Sequence, residues 1–205
     1  MLTYEQAVER IVSAVPRPRL IGVTLDQAMG LVVAKPIIAP LDLPRFDNSA
    51  VDGYALRVTD HAAEAEGAMS DLTLRLVGRS EAGRPFAGVV REGDAVRILT
   101  GAQVPQGANA VVMQEQVTRR DETVVVHRVP RAGQHIRRQG EDLRQGTEAL
   151  PAGTLLRPQE LGWLASLGYR RVPVYQPPTV AILSTGDELR SPGRRLRAGQ
   201  LYESN

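Results

Sequence analysis

The feature that most limits the fold is a change of period along the chain. From residue 72 to about 130, apolar and β-branched residues gather in short runs. These are Leu72-Thr73-Leu74-Arg75-Leu76-Val77, Ala95-Val96-Arg97-Ile98-Leu99, Ala110-Val111-Val112-Met113 and Thr123-Val124-Val125-Val126, with glycine-rich turns between them. Successive side chains of a strand point to opposite faces, so the alternation in the first run is that of β structure. Strands this short and closely spaced predict a small barrel or sandwich. The flanks follow a helical period instead. Thr3 and Gln6 make a capping-box pair ahead of Val8, Ile11, Val12 and Val15, which share one face, and Pro16 and Pro18 end that helix. Pro158 suits a first turn, Leu161, Leu164 and Leu167 recur on one side, and Gly168 suits a C-terminal stop.

Between these blocks the reading is coarser. Residues 20–40 mix a short strand, a helical turn near Leu25 to Met29 and an extended Pro36–Pro40 run. Residues 41–55 read as a long polar connection. Arg171–Tyr175 is extended, and Pro177-Pro178 reads as a hinge. Val180-Ala181-Ile182-Leu183 is a continuous apolar run, the pattern of a buried parallel strand. Such a strand needs neighbours and crossover helices to cover it, and the sequence stops at Asn205 before supplying them. A fragment or truncated product of something longer is expected.

The 205 residues can bury a real core in one large or two small domains. With 42% hydrophobic and 23% charged residues the chain is of globular type. No apolar run is long enough to span a bilayer, and Met1-Leu2-Thr3-Tyr4-Glu5 lacks the features of a signal peptide, so a cytoplasmic protein with no membrane partner is expected. Absence of cysteine excludes disulfides, thiolate metal sites and cysteine nucleophiles. Net charge is +2, and Lys35 is the sole lysine, so positive charge is carried by arginine. Arginine forks phosphate and carboxylate but is no general base. The pairs Arg119-Arg120, Arg137-Arg138 and Arg194-Arg195 read mainly as solvated faces, with contact to an anionic ligand as the alternative. Aromatic residues at 4% argue against a nucleic-acid stripe.

Four polar groupings could carry chemistry. Asp47, Asn48, Ser49 and Asp52 could hold hydrated Mg²⁺, although Asp52-Gly53 is also a common turn dipeptide and a turn is favoured on spacing alone. Thr100-Gly101 after a strand offers N–H groups and a hydroxyl to an anion, or is plain punctuation. In Arg137-Arg138-Gln139-Gly140-Glu141-Asp142 the charges neutralise each other, or the arginines hold phosphate while Asp142 assists a metal. Ser184-Thr185-Gly186-Asp187-Glu188 lies beyond the carboxyl end of the expected parallel strand, where α/β sheets bind ligands. Its carboxylates repel phosphate, so a nucleotide there implies a bridging divalent cation. His61, His127 and His135 show no metal-ligand spacing, and no nucleophile elbow supports a Ser-His-Asp triad.

Taken in order and distance, these motifs resemble the molybdopterin molybdotransferase family (bacterial MoeA and the gephyrin E domain). The resemblance runs from Pro44-Arg45-Phe46-Asp47-Asn48-Ser49-Ala50-Val51-Asp52-Gly53-Tyr54-Ala55 through Leu99-Thr100-Gly101-Ala102 and Gly140-Glu141-Asp142 to Ser184-Thr185-Gly186-Asp187-Glu188-Leu189 and Gly199–Asn205. It implies an α+β multidomain protein. A discontinuous α/β dimerisation domain (1–45 and 141–176) would carry an inserted all-β domain (46–140), followed by the truncated start of an α/β molybdopterin-binding domain (177–205). It implies Mg²⁺-dependent insertion of molybdate into adenylylated molybdopterin with release of AMP. It also implies a homodimer, other molybdenum cofactor biosynthesis proteins as partners, and no nucleic acid. Asp52 matches the family's "DGYA" aspartate, Thr100 its "TGA" threonine, Asp142 its "GED" aspartate and Glu188 the glutamate of "STGDEL"; these four are the candidate catalytic residues. Ser184, Thr185, Gly186, Asp187 and Arg137 are candidate ligand contacts, and Asp52 and Glu188 candidate metal ligands. The family's remaining carboxylates and lysines lie beyond residue 205, so half a site, inactive alone, is expected. A dimerisation or scaffold module of the same family, and a basic nucleic-acid-binding β module, are the alternatives.

Overall fold

The computed structural model describes residues 2–58 and 71–204. The protein is α+β: two α-helices and fourteen mostly short strands among the described residues. Helix α1 (Tyr4–Ala14) starts with the expected reciprocal capping, the Gln6 N–H donating to Thr3 Oγ1 and the Thr3 N–H to Gln6 Oε1. Strand β1 (Leu20–Thr24), a 3₁₀ turn (Leu25–Gln27) and β2 (Ile37–Ile38) follow. The chain then crosses a cis Leu43–Pro44 bond into β3 (Asn48–Ser49) and β4 (Gly53–Leu56). The next strands are β5 (Leu72–Ser80), β6 (Asp94–Ile98), β7 (Ala110–Met113), β8 (Val117–Arg120), β9 (Thr123–Val126), β10 (Ile136–Arg137) and β11 (Glu148–Leu150). Helix α2 (Pro158–Ser166), with Pro158 at its first turn, leads into β12 (Arg171–Tyr175), β13 (Leu189–Arg190) and β14 (Leu201–Tyr202).

One six-stranded sheet, in the order β7-β4-β6-β5-β9-β8, dominates the middle of the chain. All its neighbours are antiparallel except β5 and β6, which run parallel with a bulge between Leu76 and Gly78. The strands expected from period two are all in it, in a single sheet, so the sandwich reading falls. β7 and β8 end the order unpaired with each other.

The expectation of a mere connection over 41–55 is overturned. Gly53–Leu56 is a strand near the centre of that sheet, and all four residues are buried. Tyr54 and Leu56 join a core with Leu74, Val112, Val124 and Val126, while Ala55 faces a second core with Ile98, Ala102 and Val111. Both faces are covered, so the segment lacks the alternation that marks a half-exposed strand. Four residues behind an Asp-Gly pair gave no pattern to read.

A separate core forms from the two ends of the sequence. β1 pairs antiparallel with β12, and β2 with β11, across more than a hundred residues. Ala28, Val33, Ile37, Leu156, Leu164, Val172 and Val174 pack between these strands and α2.

The buried parallel strand expected at 180–183 does not form. The segment is in no strand, and Val180, Ile182 and Leu183 are 74%, 72% and 88% exposed. An apolar run becomes a buried strand only where ladder partners and a covering layer exist. The neighbouring β13 and β14 pair, in parallel, with each other instead.

Candidate active site

Three strand ends converge where β4 begins. Gly53 lies opposite Ile98 of β6 on one side and Met113 of β7 on the other. Asp52 immediately precedes Gly53, and Thr100 follows Ile98 by two residues, so the ladder itself brings them together. The Thr100 amide and hydroxyl both donate to Asp52 Oδ1, each at 2.7 Å. Thr100 and Gly101 are the central residues of a tight turn closed by the Ala102 N–H donating to the Leu99 carbonyl at 2.9 Å. Gly101, at φ 78°, takes the position where such a turn needs a left-handed residue. The turn is tied down from outside: Gly101 N–H donates to the Ser49 carbonyl at 2.8 Å, and Ser49 N–H to the Ala102 carbonyl at 3.0 Å. Gly53 serves close approach, since a Cβ there would lie 1.9 Å from the Val112 carbonyl oxygen.

These contacts set the charge of the site. The two Thr100 hydrogen bonds, with the Arg97 guanidinium nearby, hold the Asp52 carboxyl below its ordinary value. Oδ2 of Asp52 accepts no hydrogen bond from any described residue. Arg97 is itself pinned: it donates to the Gly53 carbonyl at 3.0 Å and to Gln114 Oε1, and lies over the Tyr54 ring at 5.1 Å from its centre. Sequence reasoning missed Arg97 and Gln114. Arg97 reads as the polar member of an alternating strand, and only the β6–β4 register shows what it faces.

Asp47 and Asp142 belong to a network around β3 and β10, whose register sets Arg137 opposite Asn48. Arg138 reaches Asp47 Oδ2 at 2.6 Å, while Asp47 Oδ1 accepts from the Gln139 N–H at 2.8 Å. Arg137 reaches Asp142 at 2.6 Å and Glu141 at 3.7 Å. These half-exposed pairs contribute little stability singly, but they order the loop that carries Asp142. Asp142 raises the Arg137 pKa above its usual value. Asp42, accepting from the Gln145 N–H and the Gln139 side chain, sits below the usual carboxylate range.

The Ser184–Glu188 turn stands apart. Gly186 lies at φ 153°, and a Cβ there would meet the Glu188 carboxylate at 2.6 Å. Ser184 Oγ is shielded from solvent and has no hydrogen-bond partner. No hydrogen bond or ion pair among the described residues joins Glu188, Asp142 and the Asp52–Thr100 pair. Nor do three or more His, Asp or Glu residues gather there as a metal site. His127 bridges Asp71 at 2.9 Å and Thr118 at 2.8 Å, and His135 sits at φ 55° beside Gln134. His61 and Asn205 lie outside the described residues.

With this geometry in view, comparison with known proteins decides the family. Residues 2–168 match the model of the MoeA N-terminal region (domain I and II). The chain belongs to that family. It is 42% identical over its whole length to a molybdopterin molybdenumtransferase of Haemophilus influenzae, covering 50% of that protein. It is 41% identical over 98% of its length to molybdopterin molybdenumtransferase 2 of Mycobacterium tuberculosis, covering 49%. The crystal structure of a molybdopterin biosynthesis MoeA protein from Pyrococcus horikoshii OT3 superposes with a TM-score of 0.84 at 35% identity, over 97% of this chain and 52% of that one. The chain thus spans about half the length of the relatives it matches. No helix among the described residues is long and apolar enough to cross a membrane.

Proposed function

We propose that this chain carries the Asp52–Thr100 half of a molybdotransferase site, which inserts molybdate into adenylylated molybdopterin with release of AMP. The observation that carries this reading is the pair itself: a carboxylate with one oxygen fixed by two Thr100 donors and the other accepting no hydrogen bond from any described residue. Mg²⁺ keeps several waters and binds through one or two carboxylates plus substrate phosphates, so Asp52 Oδ2 fits a single ligand position. When bound, the ion neutralises phosphate and molybdate and acts as Lewis acid. The chain's own residues do the rest. Thr100 fixes the Asp52 carboxylate, its amide and its hydroxyl proton both committed to Oδ1. The Thr100 hydrogen bonds, with a smaller contribution from Arg97, favour the ionised carboxylate. Glu188, Asp142 and the Ser184–Asp187 turn would join from the other side of a cleft completed by segments beyond this chain. The strand pairs joining residues 20–38 to 148–175 support a discontinuous first domain (1–45 and 141–176), a β insert (46–140) and the start of a third domain at 177. A cytoplasmic site of synthesis fits such an enzyme.

The test is calorimetric binding of adenylylated molybdopterin to the chain with and without Mg²⁺. Mg²⁺-dependent binding weakened by Asp52→Asn is expected. Mg²⁺-dependent binding indifferent to Asp52→Asn would remove Asp52 from the site.

A scaffold role is the second reading, favoured by α1. It buries no residue, and Tyr4, Val8, Ile11 and Val12 are exposed along it. A contiguous apolar stripe of this kind marks a protein contact, which supports the homodimer. Ile11→Asp would then lower the mass measured by sedimentation equilibrium, and an unchanged mass would reject α1 as the interface.

A further inference from the structure

We infer that Arg97, Gln114 and Glu115 are positioning residues: together they clamp the backbone at the start of β4 and so fix where the Asp52 carboxylate meets its ligand. The inference rests on the reading of Asp52 and Thr100 as a ligand site. Asp52 precedes the first residue of β4, so it lies just outside the ladders that hold Gly53 between Ile98 and Met113. Thr100 fixes one of its carboxylate oxygens. A side chain is placed only as well as the backbone that bears it, and at a strand end that backbone needs other support.

That support comes from the end of β7, which runs into a 3₁₀ turn (Gln114–Gln116). The Gln114 N–H donates to the Asp52 carbonyl at 3.1 Å, extending the β4–β7 pairing by one bond. From β6, Arg97 donates to the next carbonyl, that of Gly53, at 3.0 Å, and its other terminal nitrogen donates to Gln114 Oε1. The guanidinium thus ties β6, β4 and the end of β7 together, and the carbonyls of Asp52 and Gly53 are both held. Gln114 Nε2 in turn donates to Glu115 Oε1 at 3.1 Å. With a cation at its oxygen and a carboxylate at its nitrogen, the Gln114 amide has one favourable orientation. Flipped, it would set donor against donor and acceptor against acceptor. Tyr54, the partner of Arg97 in the β4–β6 register, supports the guanidinium on its ring.

The planar fork of Arg97 matters more here than its charge. The two Thr100 hydrogen bonds do most to lower the Asp52 pKa, and the Arg97 charge does least. A lysine would keep the charge but could not span Gly53 and Gln114 while lying flat on Tyr54. Arg79 supplies the contrast. It is the partner of Arg97 across β5 and β6, but it pairs with Glu81 at 2.6 Å. Removing an outer partner that orients a metal-binding side chain typically costs roughly 10–100-fold in affinity.

The experiment pairs amide hydrogen exchange at Thr100 in the free chain with calorimetric binding of adenylylated molybdopterin in Mg²⁺. Arg97→Lys and Gln114→Ala should each speed Thr100 exchange about tenfold and weaken binding about tenfold, while the Val124 and Val126 amides of β9 keep their rates. Glu115→Ala, one step further out, should give a smaller change in the same direction. Arg79→Lys, the same substitution one strand away, should leave both readouts within about twofold. Gln114 is exposed, so its variant carries the test should Arg97→Lys fail to fold. The inference is overturned if Arg97→Lys and Gln114→Ala exchange and bind like wild type. It is equally overturned if their Thr100 and β9 amides speed up together, the mark of lost stability alone. A wild-type chain that binds no ligand in Mg²⁺ would instead remove the reading of the site, and the exchange rates would still decide the clamp.

Discussion

The two ends of the proposed site are held in opposite ways. Asp52 and Thr100 sit where β4, β6 and β7 meet, on a sheet with buried residues on both faces, and every backbone segment around them is tied by hydrogen bonds. Glu188 sits on an exposed turn whose preceding apolar run, 180–183, is open to solvent. The first region is a site made by its own fold. The second carries the sequence pattern of a site but not the layer that would hold it. Ladder register and burial, not motif strength, separate them: "STGDEL" is as specific a string as "DGYA".

The sharpest way to break this comparison is to truncate one large apolar side chain in each region. Ile98 is fully buried beneath the Asp52 site and Ile182 is exposed. Ile98→Ala should cost about 3 kcal/mol of stability in urea unfolding, and Ile182→Ala less than about 0.5 kcal/mol. Similar losses would mean that 180–183 is covered in solution.

Glycines give a second, smaller contrast. Gly53→Ala places a methyl group against the Val112 carbonyl and must part β4 from β7; the expected cost is about 2–3 kcal/mol. Gly193→Ala meets open space and pays only for its φ of 86°, about 1 kcal/mol. A Gly53→Ala chain that melts like wild type would remove the close approach on which the site's geometry rests.

Smaller still is the hydroxyl of Thr100. Thr100→Val keeps the shape and the amide bond to Asp52 but removes the second donor, for an expected loss of about 1 kcal/mol in stability. Thr185, whose side chain makes no hydrogen bond among the described residues, should tolerate Thr185→Val unchanged.

The smallest effect is on pH dependence. Asp52 is more acidic folded than its ordinary value of 3.8 because Thr100 hydrogen-bonds the ionised form. Stability from a lowered carboxylate is present above the unfolded pKa and disappears as pH falls through the folded one. Asp52→Asn should therefore flatten the fall of melting temperature below about pH 4, the two curves converging in acid. Parallel curves would show that Thr100 does not favour the ionised form.

The parts of this fold that were legible in the sequence are those whose signal is local. Helix α1 follows from Thr3, Gln6 and one apolar face, and β7, β9 and β12 from β-branched runs with clear ends. β4 was hidden because its residues are buried on both faces and preceded by a turn-like Asp-Gly. β8 was hidden because Arg119-Arg120 reads as a charge cluster, although charged residues commonly guard an edge strand. At the site, Asp52 and Thr100 came from motif order, but their contact, and the part played by Arg97, depend on cross-strand register. The apolar run at 180–183 misled for the converse reason: local pattern alone does not supply ladder partners.

The most direct measurement of the preformed half-site is nitrogen-edited NMR of the Thr100 and Gly101 amides during titration with adenylylated molybdopterin and Mg²⁺. A preformed site predicts a protected Thr100 amide before ligand is added, and shifts at both residues that saturate and require Mg²⁺. A Thr100 amide that exchanges freely, or stays unmoved while other amides respond, would contradict it.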